Sequence, residues 1–152
     1  MPSLELKVPP PLVALLIAAA MWGLTLVIPR GEAPSFRGAM AISIAVAGVA
    51  LSLSGGLTFR RSKTTANPMK PQTASSLVVS GVYGLTRNPM YLGLLLLLLA
   101  WAAFLWSPWT LAGPVAFVAY ISRFQIAPEE RALASLFGGE YSAYKARVRR
   151  WL

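Results

Sequence analysis

The stretch that decides the fold is YLGLLLLLLAWAAFLWSPWTLAGPVAFVAYISRFQI, residues 91–126. Its only charged residue is Arg123, and its two apolar halves are separated by Ser107 and Pro108 alone. A bilayer core requires about 20 mostly apolar residues in a helix, with a range of about 17–25. Residues 91–106 and 109–126 are therefore predicted to span a membrane, and so short a connection predicts an antiparallel helical hairpin.

Two further apolar stretches, residues 12–28 and 38–59, precede the hairpin and are predicted as the first two spans. On the second of these, Gly48, Ser52 and Gly56 recur every four residues and predict a close contact with a neighbouring helix. The unbroken leucines of residues 94–99 predict that the third span faces lipid on several sides. The predicted fold is thus an all-α membrane protein of about four transmembrane helices, in a single domain of residues 1–152.

The composition agrees with the membrane class and narrows the chemistry. Of 152 residues, 56% are hydrophobic and 12% charged, and the mean hydropathy is +0.59, whereas soluble proteins average about 25% charged residues. The chain has no His, Cys or Asp, so imidazole bases, thiol nucleophiles and the usual zinc ligands are excluded. No metal site is predicted, and chemistry carried by a reactive cofactor is favoured over chemistry that needs a strong protein base.

The charges predict the orientation. Fourteen Lys and Arg oppose five acids, a formal net charge of +9. With four spans, twelve of these cations fall on one side, and only Arg30 and Arg37 fall on the other. The positive-inside rule then predicts a bacterial inner-membrane protein with both termini and the polar loop 60–90 in the cytoplasm. Because the cations border apolar spans, anionic membrane lipids are the predicted partners, and nucleic acid is not; no feature indicates an oligomeric state.

A cytoplasmic tail, residues 128–152, follows the hairpin. Pro128 predicts a helix start, Glu129 and Glu130 occupy the first turn, and Gly138-Gly139 predicts a stop. A second amphipathic helix is predicted beyond the glycines, with cations on its other face. Its apolar face carries Tyr141, Tyr144, Val148 and Trp151. This pattern is typical of a helix lying in the plane of the lipid headgroups.

The loop 60–90 is the first place to look for chemistry, because long ordered loops in compact domains are usually functional. It ends at Asn88-Pro89, which predicts the start of the third helix, where free backbone N–H groups attract polar or anionic groups. Arg87, Asn88 and Tyr91 also fit ordinary roles as a snorkelling cation, a helix cap and an interfacial aromatic. Glu129 and Glu130 lie beside a negatively charged membrane, in the first turn of a predicted helix. There they can interact favourably with the helix dipole, or they can bind the sulfonium or amino group of a ligand.

Two blocks of sequence together carry a family resemblance: LVVSGVYGLTRNPMYLG, residues 77–93, and EERALASLFGGEYSAY, residues 129–144. The pair resembles the isoprenylcysteine carboxyl methyltransferases and their phospholipid methyltransferase relatives, over about residues 75–148. The resemblance implies S-adenosylmethionine bound on the cytoplasmic side and a lipophilic acceptor, a small molecule or a lipid, that arrives laterally from the bilayer. The cofactor-binding residues that it implies are Leu77, Val78, Tyr83, Asn88, Pro89, Met90, Tyr91, Glu129 and Glu130.

The resemblance also yields three candidate catalytic residues: Arg87, Arg123 and Glu129. Two departures from the family's pattern bear on the acceptor. Asn88 stands where the carboxyl methyltransferases have His, and Gln125 stands where the prenylcysteine enzymes have a substrate-binding Arg. Arg123 is predicted to hold an anionic acceptor head instead, by reaching from two residues earlier.

Three hypotheses about the function are compatible with the sequence. The first is methyl transfer to a carboxylate or amine head, with a slight preference for a carboxylate because it needs no base. The second is an NADPH-dependent sterol or enone reductase, since those membrane enzymes have a similar Arg-x-x-Tyr block. The third is a helical lipid-binding scaffold without enzymatic activity, which accounts for the spans and the basic tail but leaves both blocks unexplained.

Overall fold

The computed structural model describes residues 4–28, 31–62 and 69–152. Five α-helices follow one another: α1 Pro10–Val27, α2 Arg37–Arg61, α3 Pro89–Leu105, α4 Ala112–Ile121 and α5 Ala127–Arg147. Short 3-10 turns lie at Pro71–Thr73, Gly81–Gly84 and Pro108–Leu111, and a π-helix, Ser122–Ile126, joins α4 to α5. The described ranges contain no strand, which confirms the all-α prediction.

Two of the described helices are long and apolar enough to cross a membrane. These are α1, with a mean hydropathy of 2.0, and α2, with 1.9. The predicted third span corresponds to α3, which is apolar but has 17 residues. The predicted fourth span divides into a 3-10 turn, the 10-residue α4 and the π-helix. Length and composition thus support two spans, and the four-span arrangement stays a prediction.

The central helix of the bundle is α3, which contacts α1, α2 and α4, and α2 most extensively. Leu98 and Leu105 on this helix are 2% and 1% exposed, and none of residues 94–99 is more than partly accessible. Neighbouring helices cover Leu98, while the other leucines of residues 94–99 are partly accessible, so contact with lipid on several sides stays a prediction. The large apolar side chains left exposed lie mainly on α1 and α2.

Glycines bring α2 and α3 into backbone contact. A Cβ atom on Gly93 would lie 2.6 Å from the carbonyl oxygen of Gly48 and closer still to the Oγ of Ser52. The predicted close contact is confirmed at Gly48 and Ser52. Gly56 is different, because nothing lies within 4 Å of the position of its Cβ, and the adjacent Gly55 faces α3 instead. The α-helical repeat of 3.6 residues places the second turn nearer to seven residues than to eight.

The contact at Gly93 gives a stability prediction. Gly93→Ala is expected to lower the free energy of unfolding by about 1–3 kcal/mol, because the added methyl group forces the two backbones apart. Thermal unfolding of the purified protein in detergent measures the change. Gly56→Ala on α2 is the matched control, since its Cβ enters open space. Equal unfolding temperatures for the two variants would contradict the tight contact.

Charged residues collect at opposite ends of the bundle. At one end Glu5, before α1, pairs with Arg123 at 2.7 Å and with Arg131 at 2.5 Å. At the other end the guanidinium of Arg37 lies 5.4 Å from the ring centroid of Phe104. This grouping agrees with the sides to which the charge pattern assigned these residues. Two cations of that assignment lie outside the described residues: Arg30 and Lys63.

The tail folds back onto the protein. Gly138 interrupts α5 with φ 47° and ψ −117°, so the predicted break between two helical segments is confirmed. Tyr141, Tyr144 and Val148 are 4%, 4% and 9% exposed and pack with Leu77. The prediction that this face lies in the headgroup plane is wrong for these three residues, because the segment that follows α2 covers them.

Candidate functional site

A cleft opens where the segment 71–88, the start of α3 and the start of α5 meet. Its empty volume is about 850 Å³, a figure that includes open solvent at its entrance. Nine of its lining residues belong to the predicted site: Leu77, Val78, Tyr83, Arg87, Asn88, Met90, Tyr91, Glu129 and Glu130. The structure therefore brings the two sequence blocks together around one cavity.

Two of the predicted residues do not line this cleft. Pro89 opens α3 and is fully buried beneath the cleft-lining residues. Arg123 lies outside, where its Nη1 donates to Glu5 Oε1 at 2.7 Å and its side chain is 61% exposed. The structure thus separates Arg123 from Glu129, because the segment before α1 holds the arginine at the surface.

Glu129 is the buried acid of the cleft. Its Oε1 accepts hydrogen bonds from the hydroxyl of Tyr91 and, at 3.3 Å, from Nε2 of Gln125. Burial raises the pKa of the Glu129 carboxyl to about 7, against the opposing effect of these two hydrogen bonds, and the neighbouring charge of Glu130 adds to the rise. Both donors are neutral, and Glu129 forms no ion pair within residues 4–28, 31–62 and 69–152.

The π-helix places Gln125 under Glu129. It inserts one extra residue into the helical path between α4 and α5, a feature that is frequent at functional sites. Gln125 and Ile126 are each 1% exposed, and Gln125 lies four residues before Glu129, the spacing at which helical side chains meet. In the sequence Gln125 stands out only as a departure from the family's pattern, although its spacing from Glu129 indicates the contact between the two residues.

Glu130 holds two arginines together at the cleft wall. Its Oε1 accepts from Arg150 Nε at 3.0 Å and forms an ion pair with Arg87 Nη1 at 3.1 Å, and its Oε2 accepts from Arg150 Nη2 at 2.6 Å. The side chain of Arg87 is 9% exposed, and its Nη1 also donates to the hydroxyl of Tyr141 at 3.2 Å. Both oxygens of Glu130 are therefore engaged, which leaves Glu129 as the acid that can meet a ligand's cation.

Asn88 does not act as a side-chain helix cap. Its Nδ2 donates to the backbone carbonyl of Arg150 at 2.9 Å, and its own N–H donates to Oγ1 of Thr86 at 3.2 Å. The residue that takes the place of the family's His is thus tied to the C-terminal segment. No spacing in the sequence indicates this pairing, because the partners are 62 residues apart.

Aromatic residues close the rest of the cleft. The hydroxyl of Tyr144 donates to the carbonyl of Tyr83 at 2.7 Å, and the ring of Tyr83 meets Phe59 edge-on at a centroid distance of 5.2 Å. Phe59, Tyr141 and Tyr144 line the cavity but were not assigned to it from the sequence. The two tyrosines belong to the second sequence block, which could have indicated that they line the cavity. No sequence feature indicates this for Phe59.

Comparison with known proteins gives one family match. A family model described as phospholipid methyltransferase matches residues 36–140, more than half of the chain. An uncharacterised protein of Haemophilus influenzae is 52% identical over 63 residues, which cover 41% of this chain and all of that protein. No solved structure matches the chain. The matched residues include α2, α3 and the start of α5, the elements that build most of the cleft.

Proposed function

We propose that this chain, which belongs to the phospholipid methyltransferase family, transfers a methyl group from S-adenosylmethionine to a lipophilic acceptor at the cytoplasmic face of a membrane. The family inferred from the two sequence blocks is confirmed by the match. The observation that supports the cofactor and the acceptor is the cleft itself, where both blocks line one cavity around a buried acid.

The residues of the cleft fit a cationic cofactor. Glu129 is buried, accepts only neutral donors among its described contacts and keeps a pKa near 7, so a positively charged group at its side stabilises the ionised form. S-adenosylmethionine supplies an activated methyl group on a sulfonium, together with an ammonium and a ribose. Leu77, Val78 and Met90 cover the apolar wall and exclude water from the reacting groups.

The chain's part in the reaction is alignment and proton handling. When bound, S-adenosylmethionine would supply its methyl group to a lone pair of the acceptor, with the neutral thioether as the leaving group. A carboxylate head needs no base. An amine head enters as an ammonium and must first lose a proton, which Glu129 can accept. The proposed acceptor therefore carries a carboxylate or an amine.

The experiment that tests this function is direct binding to the purified protein. S-adenosylhomocysteine is expected to bind and to raise the unfolding temperature by mass action, and NADPH is not. Binding of NADPH alone would favour the reductase. Binding of neither ligand would favour the lipid-binding scaffold.

Binding of S-adenosylhomocysteine is expected to strengthen as pH rises from 6 towards about 7.5. The acid faces Tyr91 on α3, Tyr83 on the turn before it, and Gln125 and Glu130 on its own helical path. Of these only Glu130 carries a negative charge. Below the pKa of about 7 the carboxyl must lose its proton to meet an ammonium, so affinity approaches a tenfold gain per pH unit. Calorimetry across this range measures the slope, and a flat profile would contradict the contact.

The same acid has the opposite effect on the unliganded protein. Its folded pKa, about 7, lies above the ordinary value of 4.5, so the folded state binds the proton more tightly than the unfolded state does. The contribution to the free energy of unfolding is therefore fully present below about pH 4.5 and is lost as pH rises through about 7. Ligand binding and unliganded stability thus change in opposite directions with pH.

The membrane arrangement that we propose has four spans and both termini in the cytoplasm of a bacterial inner membrane. It is supported by the apolar α1 to α4 and by the separation of the charges between the two ends. Reporter fusions at Lys63 and after Leu152 are expected to be cytoplasmic, and a fusion near Glu32 external. Opposite locations for the first two fusions would rule out an even number of spans between them.

A further inference from the structure

The last residues of the chain are bound to the cleft through their backbone. After α5 ends, the carbonyl of Arg149 accepts the N–H of Arg87 at 3.0 Å. The carbonyl of Arg150 accepts Asn88 Nδ2 at 2.9 Å and the Oγ1 hydroxyl of Thr86 at 3.4 Å. Three consecutive residues that precede α3 are thus attached to two consecutive residues of the C-terminal segment. We call residues 149–151 the C-terminal clasp.

Side chains attach the clasp at two further points. The guanidinium of Arg150 donates two hydrogen bonds to Glu130, from Nε to Oε1 at 3.0 Å and from Nη2 to Oε2 at 2.6 Å. Trp151, the next residue, packs against the main apolar core of the bundle, which includes Ile126. The clasp therefore connects the segment before α3, the first turn of α5 and the core.

The shared carboxylate links Arg150 to the cleft. Arg150 Nε donates to Oε1 of Glu130, and Arg87 Nη1 forms an ion pair with the same oxygen, while Oε2 accepts from Arg150 alone. A two-point arginine–carboxylate pair fixes the plane of the carboxylate. Without it, Glu130 keeps only the single contact with Arg87 and can rotate, so the buried Arg87 loses its fixed partner.

We propose that Arg150 is a positioning residue of the methyl-transfer site. Its guanidinium fixes the position of Arg87 through Glu130, and its backbone carbonyl fixes the position of Asn88. This role rests on the proposed function and extends it to a segment beyond both sequence blocks and beyond the residues that the family model matches. Arg150 is 39% exposed along its side chain. Arg150 acts on the cleft through Arg87, Asn88 and Glu130, which line the cavity.

The test compares neighbouring arginines in the full-length protein in detergent. Arg150→Gln is expected to raise the Kd of S-adenosylhomocysteine about tenfold or more, the scale of a hydrogen-bonded charge. Arg149→Gln is the matched control, because it removes the same charge one residue away, where the side chain is exposed and only the backbone carbonyl serves the clasp. Its Kd is expected to stay within about twofold of wild type.

A second variant and a second readout separate positioning from stability. Arg150→Lys keeps the charge but lacks the two-point fork, so its Kd is expected to fall between those of wild type and Arg150→Gln. The unfolding temperature without ligand is measured for each variant, since a merely structural role would lower it and leave the affinity of the folded protein unchanged.

The two proposals fail in different ways. If wild type binds S-adenosylhomocysteine and the Kd of Arg150→Gln is unchanged, the positioning role of Arg150 is overturned. If Arg150→Gln does not fold, an unchanged Kd in Arg150→Lys overturns it in the same way. Absence of binding in wild type would overturn the proposed function, and this role with it.

Discussion

Replacing Glu129 with Gln is expected to weaken the binding of S-adenosylhomocysteine by about 1–3 kcal/mol, the cost of losing a charge-assisted hydrogen bond. The acid lies between Tyr91 and Gln125, which donate hydrogen bonds to its Oε1, and both donors are neutral. The amide keeps nearly the same shape, and Glu130 keeps its ion pairs in the first turn of α5. Calorimetry at pH 7.5, where the wild-type carboxyl is largely ionised, measures the difference.

Glu140→Gln is the matched control for that experiment. It makes the same substitution on the same helix, at a side chain that is exposed and does not line the cleft. Its Kd is expected to equal that of wild type. If Glu129→Gln behaved like this control, the acid would serve only the dipole of α5, and the contact with the cofactor would have to be abandoned.

Shortening the apolar chain of the acceptor by four methylenes is expected to lower kcat/KM by about two orders of magnitude. Each buried methylene contributes about 0.8 kcal/mol, and every 1.4 kcal/mol is tenfold. The reason lies in the position of the cleft, which is lined by Phe59 at the end of α2, by Met90 at the start of α3 and by Ile126 before α5. An acceptor that reaches this cleft from the bilayer keeps its chain against apolar helices.

The measurement uses two acceptors with the same reactive head, one long and one truncated, at equal cofactor concentration. The affinity for S-adenosylhomocysteine serves as the control, because it should not depend on the acceptor chain. Equal turnover of the two acceptors would show that the head group alone is recognised from water. Lateral entry would then be excluded.

The helices could be predicted well where a single helix coincides with a single apolar stretch of sequence. The predicted spans 12–28 and 38–59 agree closely with α1 and α2. The central position of α3 could not be predicted from the leucines of residues 94–99, because lipid and neighbouring helices are equally apolar. The division of residues 109–126 could not be foreseen either, since a 3-10 turn and a π-helix leave the apolar composition unchanged.

The site was predictable where its residues stand in contiguous motifs. Asn88, Met90 and Tyr91 follow one another at a helix start, and Glu129 begins the second block, so placing the blocks together places these side chains. The position of Arg123 outside the cleft could not be predicted, because its partner, Glu5, is 118 residues away in the chain. Arg150 was missed for the same reason, since its bond to Glu130 depends on how the tail folds back.

The π-helix between α4 and α5 also determines how the chain tolerates changes of length. A π-helical turn accommodates one residue more than an α-helical turn, so the helix beyond Ser122–Ile126 keeps its phase. A residue inserted into or deleted from the regular turns of α4 would instead rotate everything beyond it by about 100°. Glu129 would then turn away from Tyr91, and the tail would lose its register with Asn88.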